Sequence, residues 1–278
     1  MTIKTVLTVT SPDLGEADLK LAATLCEEIE AHLAVLIVAL AAPPPIGEYA
    51  AVVSDIWLQE RQADLAKLKE RSDAVSTWLA SSRVSTDISS EYQEITWSDE
   101  AIGRRARYAD ITLLGPDMLS HDTLKEKVVE GALFHSGKPL LLIPDGATAT
   151  LKPKRIMVAW DSRVEASQAV AQSLDLLTVA EEVRLVLVDP TEGEDAHGAE
   201  PGADMATFLA RHGVKVTVDR LPSQGKAVAS VLRQHAADMA AELLVMGAYG
   251  HSRLRQKIFG GVTSSMLGEP PIPILMAR

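Results

Sequence analysis

The chain has 278 residues, with 27 Lys+Arg against 38 Asp+Glu and a formal net charge of −11. Hydrophobic residues make up 47% and charged residues 23%, which excludes the disordered, collagen-like and low-complexity classes. Its length favours two domains over one.

The charge is uneven. Residues 1–150 hold 13 basic and 23 acidic side chains, and residues 151–278 hold 14 and 15. The acidic half repels nucleic acid and anionic membrane at long range, so neither is expected as a partner. No apolar run reaches the roughly 18–20 residues of a membrane span. MTIKTVLTVTSPD carries no long apolar signal core, so a cytoplasmic protein is expected. The single Cys26 excludes an intramolecular disulfide and a Cys-rich metal site.

In chain order, Ile3–Thr10 (IKTVLTVT) reads as a buried strand, Leu14–Ala31 as an amphipathic helix and Ala34–Leu40 as a second strand. Cys26 falls on the apolar face of that helix, where a buried thiol is expected. A long insertion follows, and within it residues 53–80 read as one helix. Its apolar positions are Val53, Ile56, Leu65, Leu68, Val75 and Leu79. ADITLLG then enters a turn at Gly115, and Leu124–Pro144 reads as a helix followed by a Pro-led strand.

After a polar stretch, Asp145–Lys154, the plan repeats at a period of about 130–150 residues. Arg155–Trp160, Val164–Leu177 and Val183–Val188 read as strand, helix and strand. Pro190–Gly202, rich in Gly, Glu and Asp, reads as a mobile loop. AAELLVMG ends at Gly247, and Leu254–Arg278 aligns with Leu124–Pro144. The expected domains are residues 1–147 and 152–278. Alternating strands and helices predict a doubly wound α/β unit in each half, with five parallel strands.

The strongest local signal is VMGAYGHSRLRQKIFGGVT, Val245–Thr263. A buried strand turns on Gly247 and Gly250, then Gly260 and Gly261 open a helix. Glycine permits close backbone approach, and a helix N-terminus offers unpaired N–H groups suited to phosphate. The segment is neither GxGxxG nor a Walker A loop. Spacing alone leaves open a phosphate loop or a pair of structural turns. Asp161 follows the first strand of the same half. It would accept from an adenine amino group or a ribose hydroxyl, or else cap the next helix.

These residues resemble the universal stress protein A-like family. VAWDSRVEASQAV resembles its opening strand, acidic turn and helix. GAYG-x9-GGVT resembles its G-x2-G-x9-G-(S/T) nucleotide motif, and PPIPILMAR its last strand. The first half resembles a diverged copy, so the chain looks like a tandem universal stress protein. The resemblance implies two Rossmann-like sheets of strand order 3-2-1-4-5, with helices on both faces. It also implies ATP, with Mg as its counter-ion, bound in the second half. Asp161 would hold adenine, with Ala159 and Val188 lining the base pocket. Met246 and Gly247 would approach the ribose. Gly250, Gly260, Gly261, Val262 and Thr263 would surround the phosphates, Thr263 adding a hydroxyl and Arg253 and Arg255 charge nearby.

Gly261 departs from the family pattern, which has Ser or Thr there, so one hydroxyl is missing. The first half departs further. Ser11 replaces the acid, Pro116, Asp117 and Met118 follow Gly115, and Glu130 stands where Gly260 would be. No ATP is expected there. The resemblance also implies that the last strands of the two halves pair antiparallel, an internal pseudo-dimer, with a homodimer of such chains left open.

No set of catalytic residues is readable, and at most a slow ATPase is expected. The alternative is a non-binding interaction or dimerisation module of the same fold, with an unidentified protein partner. None of the seven histidines shows HExxH or other ligand spacing. His197 among its acidic neighbours marks either a weak cation site or a solvated loop. His251 either faces a phosphate or is solvated. Trp160 packs at a domain interface or walls the nucleotide pocket.

Overall fold

A computed structural model of the protein describes residues 3–41, 43, 50–191, 200–249 and 261–278. By packing, they form two compact units, Ile3–Ser136 and Gly137–Arg278. The final strand of the first repeat is therefore counted with the second unit, whereas the division at 147/152 separates the sequence repeats.

In the first unit the strands are β1 (Thr5–Thr10), β2 (His32–Ala41), β3 (Thr86–Glu94) and β4 (Ile111–Leu114). The helices are α1 (Ala17–Ile29), α2 (Ala50–Leu79), α3 (Ser98–Ala106), a single turn α4 (Pro116–Leu119) and α5 (Asp122–Glu130). A π-helical turn, Gly131–Ser136, closes the unit. The strands are parallel, with β1 between β2 and β4 and β3 beside β2. Val6, Val9, Leu33, Ile37, Ile111 and Leu113 are almost fully buried. Burial of alternate and adjacent positions alike explains why these strands read as continuous apolar runs.

Leu19, Ala22, Leu25 and Cys26 place the apolar stripe of α1 in the core. Cys26 is fully buried, and burial pushes its thiol up to about 12, so it is un-ionised and inert at neutral pH. Of the apolar positions of the insertion helix, Leu68, Val75 and Leu79 are buried, whereas Ile56 and Leu65 are 60% and 41% exposed. At 30 residues α2 is about 45 Å long. The ten-residue β2 that it packs on spans only about 33 Å. The helix is thus longer than the sheet surface available to it. The side chain of Val53 lies outside the described residues.

The second unit contains β5 (Leu140–Leu142), β6 (Arg155–Ala159), β7 (Glu182–Val188), β8 (Val216–Leu221), β9 (Leu243–Gly247) and β10 (Ile274–Ala277). Its helices are α6 (Val164–Val179), α7 (Ala203–Arg211), α8 (Val228–Asp238) and α9 (Gly261–Gly268). Ala166, Ala169, Val170, Ser173, Leu176 and Leu177 give α6 a buried stripe of helical period.

The strand order is β3-β2-β1-β4 in the first unit and β8-β7-β6-β9-β10 in the second, where it is the expected 3-2-1-4-5. The last strand of the second repeat is not an edge. β10 lies parallel to β9 on one side and antiparallel to β5 on the other, with Ile274 opposite Leu142 and Met276 opposite Leu140. Both short strands are buried throughout. This pairing satisfies backbone groups that a free edge would leave open. Among the described residues, no helix is long and apolar enough to cross a membrane.

Candidate functional site

In the second unit β6 sits between β7 and β9. After β7 the chain moves outward to β8, then returns across β6 to form β9. The strand order therefore reverses between β6 and β9. Ligands of doubly wound sheets bind beyond the carboxyl ends of the strands at such a point.

The expected pocket residues are brought together there by strand register. Ala159 is opposite Met246, and Ala159 also pairs with Val186 of β7, two residues before Val188. Ala159 and Val188 are half-buried at their strand ends, and Met246 is buried. The Trp160 N–H donates to the Val186 carbonyl at 2.9 Å and extends the β6–β7 ladder by one residue, with Trp160 itself half-buried.

Asp161 is exposed just beyond this ladder. Its Oδ1 accepts the Arg163 backbone N–H at 3.1 Å, closing a tight turn in which Ser162 has φ +61°. The α6 N-cap is Arg163, with no side-chain cap. The carboxylate thus shapes the turn that presents it, and the capping alternative falls away. Ser11 makes the matching turn in the first unit, its hydroxyl accepting the Asp13 N–H at 3.3 Å.

Gly247 ends β9 against the first turn of α6. A Cβ there would lie 2.5 Å from the Ala166 nitrogen and 2.6 Å from the Glu165 carbonyl carbon. Glycine is required because backbone meets backbone. Gly261 is the opposite case: it opens α9, and a Cβ would meet nothing within 4 Å among the described residues. Thr263 sits in the first turn of α9, and its hydroxyl accepts the Tyr249 N–H at 3.4 Å. Tyr249 has φ +59°. Gly250, Gly260, His251, Arg253, Arg255 and His197 lie outside the described residues.

Two further polar groups shape this end of the unit. Asp189, after β7, has φ +47° and accepts the Ser223 N–H at 2.8 Å. Hydrogen bonds from the Ser223 hydroxyl and N–H hold its carboxyl below the ordinary carboxylate value. Arg233 on α8 reaches the far end of α9. Its guanidinium donates to the Ser265 carbonyl at 2.6 Å, the Ser265 hydroxyl at 2.9 Å and the Glu269 carbonyl at 3.1 Å. A cation on the last carbonyls of a helix is favourably placed. Nothing in the sequence singled out Arg233, because its partners lie 32 or more residues away.

The corresponding place in the first unit is filled by the protein itself. Asp18, 4% exposed in the first turn of α1, accepts the Asp117 N–H at 3.0 Å and the Met118 N–H at 2.8 Å. Burial pushes its carboxyl above the ordinary value, and the nearby Asp117 pushes the same way. The Met118, Asp117 and Gly115 backbone donors pull it back. Glu130 pairs with Lys127 at 2.9 Å. Sequence reading missed Asp18, although an acid beside Leu19 and one helical turn before Ala22, both on the apolar face of α1, was a signal. Among the described residues, no group of three or more His, Cys, Asp or Glu is arranged to hold a metal ion.

Fold and crevice define a doubly wound, Rossmann-like α/β protein whose second half gathers its distinctive residues at the strand-order reversal. Residues 152–278 match the family model described as the universal stress protein family. Over 144 residues the chain is 30% identical to Universal stress protein Slr1230 of Synechocystis sp. (strain ATCC 27184 / PCC 6803 / Kazusa). That alignment covers 51% of this chain and 47% of the relative, so the match spans about half the length of each.

Among solved structures, a universal stress protein from Archaeoglobus fulgidus DSM 4304 superposes with a TM-score of 0.62 at 17% identity, covering 98% of this chain and 96% of that one. The functionally unknown protein PA1789 from Pseudomonas aeruginosa PAO1 gives 0.54 at 14% identity, covering 99% and 92%. At such identities the likeness concerns the fold.

Proposed function

We propose that the second half binds an adenine nucleotide, ATP with Mg, at one site per chain, and that the protein acts as a stress-response regulator rather than a fast enzyme. The observation that carries this reading is the convergence of Ala159, Asp161, Val188, Met246 and Gly247 at the strand-order reversal of a universal stress protein domain. The first turn of α9 would offer the Gly261, Val262 and Thr263 N–H groups to an anion, and among the described residues no atom lies within 4 Å of a Cβ at Gly261. Asp161 would accept from the base, and Gly250 and Gly260 would complete the phosphate loop. Nucleotide binding would order that loop, and a partner protein would read the change. The first half is a diverged tandem copy without a nucleotide.

Denaturing freshly purified protein and weighing the released small molecules tests the reading. Near-stoichiometric ATP or ADP supports it. An empty protein that also ignores added Mg-ATP in calorimetry defeats it. In the same titration Asp161→Ala is expected to weaken ATP by about 10–100-fold, the worth of one hydrogen bond to a charged group. Asp161→Asn keeps an acceptor for Arg163 and separates loss of charge from loss of the turn. Unchanged affinity in both variants would remove Asp161 from the site.

One observation favours the second reading, a non-binding interaction module. Gly261 brings no hydroxyl where the family pattern has Ser or Thr. Gly261→Ser distinguishes the two. With no described atom within 4 Å of the new Cβ, the serine is expected to leave thermal stability unchanged and tighten ATP about 5-fold. If neither the wild type nor this variant binds, the module reading stands.

A further inference from the structure

We infer that Asp18 is a built-in anion: its carboxylate occupies the exit of β4 in the first unit, takes the backbone donors there, and keeps that unit closed to an external anion. This inference concerns the first unit and stands apart from nucleotide binding in the second.

The contact is long-range and buried. Asp18 Oδ1 accepts from Asp117 and Oδ2 from Met118, across 99 and 100 residues of sequence. Each oxygen has its own backbone donor, an arrangement an ionised carboxylate satisfies fully. Pro116 between Gly115 and Asp117 offers no N–H, so the available donors at this turn already point at Asp18. Gly115 makes room for it. A Cβ there would lie 2.3 Å from Asp18 Oδ1 and 2.5 Å from its carboxyl carbon.

The charged group that acts on this carboxylate is Asp117, which repels it. The second unit differs at the matching glycine. Gly247 is met by the backbone of Glu165 and Ala166, with no carboxylate between. The turn from β1 to α1 runs over residues 11–16, and that from β6 to α6 over residues 160–163. The two halves therefore meet the glycine at the same strand exit differently: one with a carboxylate, the other with helix backbone.

Chemical rescue tests this in the full chain. Asp18→Ala leaves a carboxylate-sized space lined by unpaired N–H groups. It is expected to lower Tm by roughly 5 °C. Sodium formate should restore much of that loss with saturation, while sodium chloride at equal ionic strength should not, and neither should act on the wild type beyond its salt effect. A variant as stable as the wild type, or one that formate stabilises no more than chloride does, overturns the inference. Should Asp18→Ala fail to fold, Asp18→Asn is read by hydrogen exchange. Faster exchange at the Asp117 and Met118 amides supports the built-in anion, and unchanged protection refutes it. ATP affinity of the second unit should not change in either variant, which keeps this result separate from the nucleotide reading.

Discussion

Gly247→Ala is expected to lower Tm by roughly 10 °C and to abolish any ATP binding by the second half. The added methyl would sit 2.5 Å from the Ala166 nitrogen and 3.0 Å from its Cα, both backbone atoms in the first turn of α6. Those atoms cannot rotate away as a side-chain tip would. Relief requires α6 to shift along the sheet, yet Ala166, Ala169 and Val170 anchor it in the core. Overpacking of this kind costs about 3 kcal/mol, which corresponds to that Tm shift in a unit of this size. Calorimetric unfolding of the two proteins checks it. A variant within about 2 °C of the wild type would show that α6 yields freely, and that Gly247 is there for a ligand alone. Gly261→Ser makes the contrast within one motif: two glycines of the proposed phosphate loop, one demanded by packing and one with no described neighbour within 4 Å of its Cβ position.

Arg233→Met carries the second large effect. The methionine retains a long apolar stem but removes every hydrogen bond from the guanidinium to Ser265 and Glu269. Hydrogen bonds from a charged donor contribute about 1.5–3 kcal/mol, and favourable interaction with the C-terminal dipole of α9 is lost with them. A fall of about 2 kcal/mol in urea unfolding is expected. Because the same helix carries Gly261, Val262 and Thr263 at its other end, loosening it should also raise the ATP dissociation rate. Arg233→Lys, keeping the charge but not the fork, should recover part of the stability. No change in either quantity would mean that packing of Met266 and Leu267, both buried, fixes α9 unaided.

How far the sequence reached depends on the range of the interaction concerned. The strands were legible because burial on both faces writes itself as short apolar runs. The helices were legible because a one-sided stripe repeats every 3.6 residues. Strand order came from the family resemblance and from no residue pattern. In α2, apolar periodicity specifies a face but not how much sheet is available to cover it, and Ile56 and Leu65 face solvent. The proposed phosphate motif gave Gly247 and Gly261 the same standing, since a one-letter code cannot distinguish a glycine pressed by backbone from one with no described neighbour within 4 Å.

The sequence by itself determined the alternation of strands and helices, the two repeats, the missing hydroxyl at Gly261 and the loss of the motif in the first half. Each is a local or periodic property. The pairing of the last strands was implied by the resemblance, but only the tertiary structure decided its register, Ile274 opposite Leu142, and decided that Arg233 holds the end of α9 and that Asp18 accepts the N–H groups after β4. Those contacts join residues 32 to about 136 positions apart. Their partners are chosen by where the folded strands bring the chain, and no neighbouring residue in the sequence records that choice.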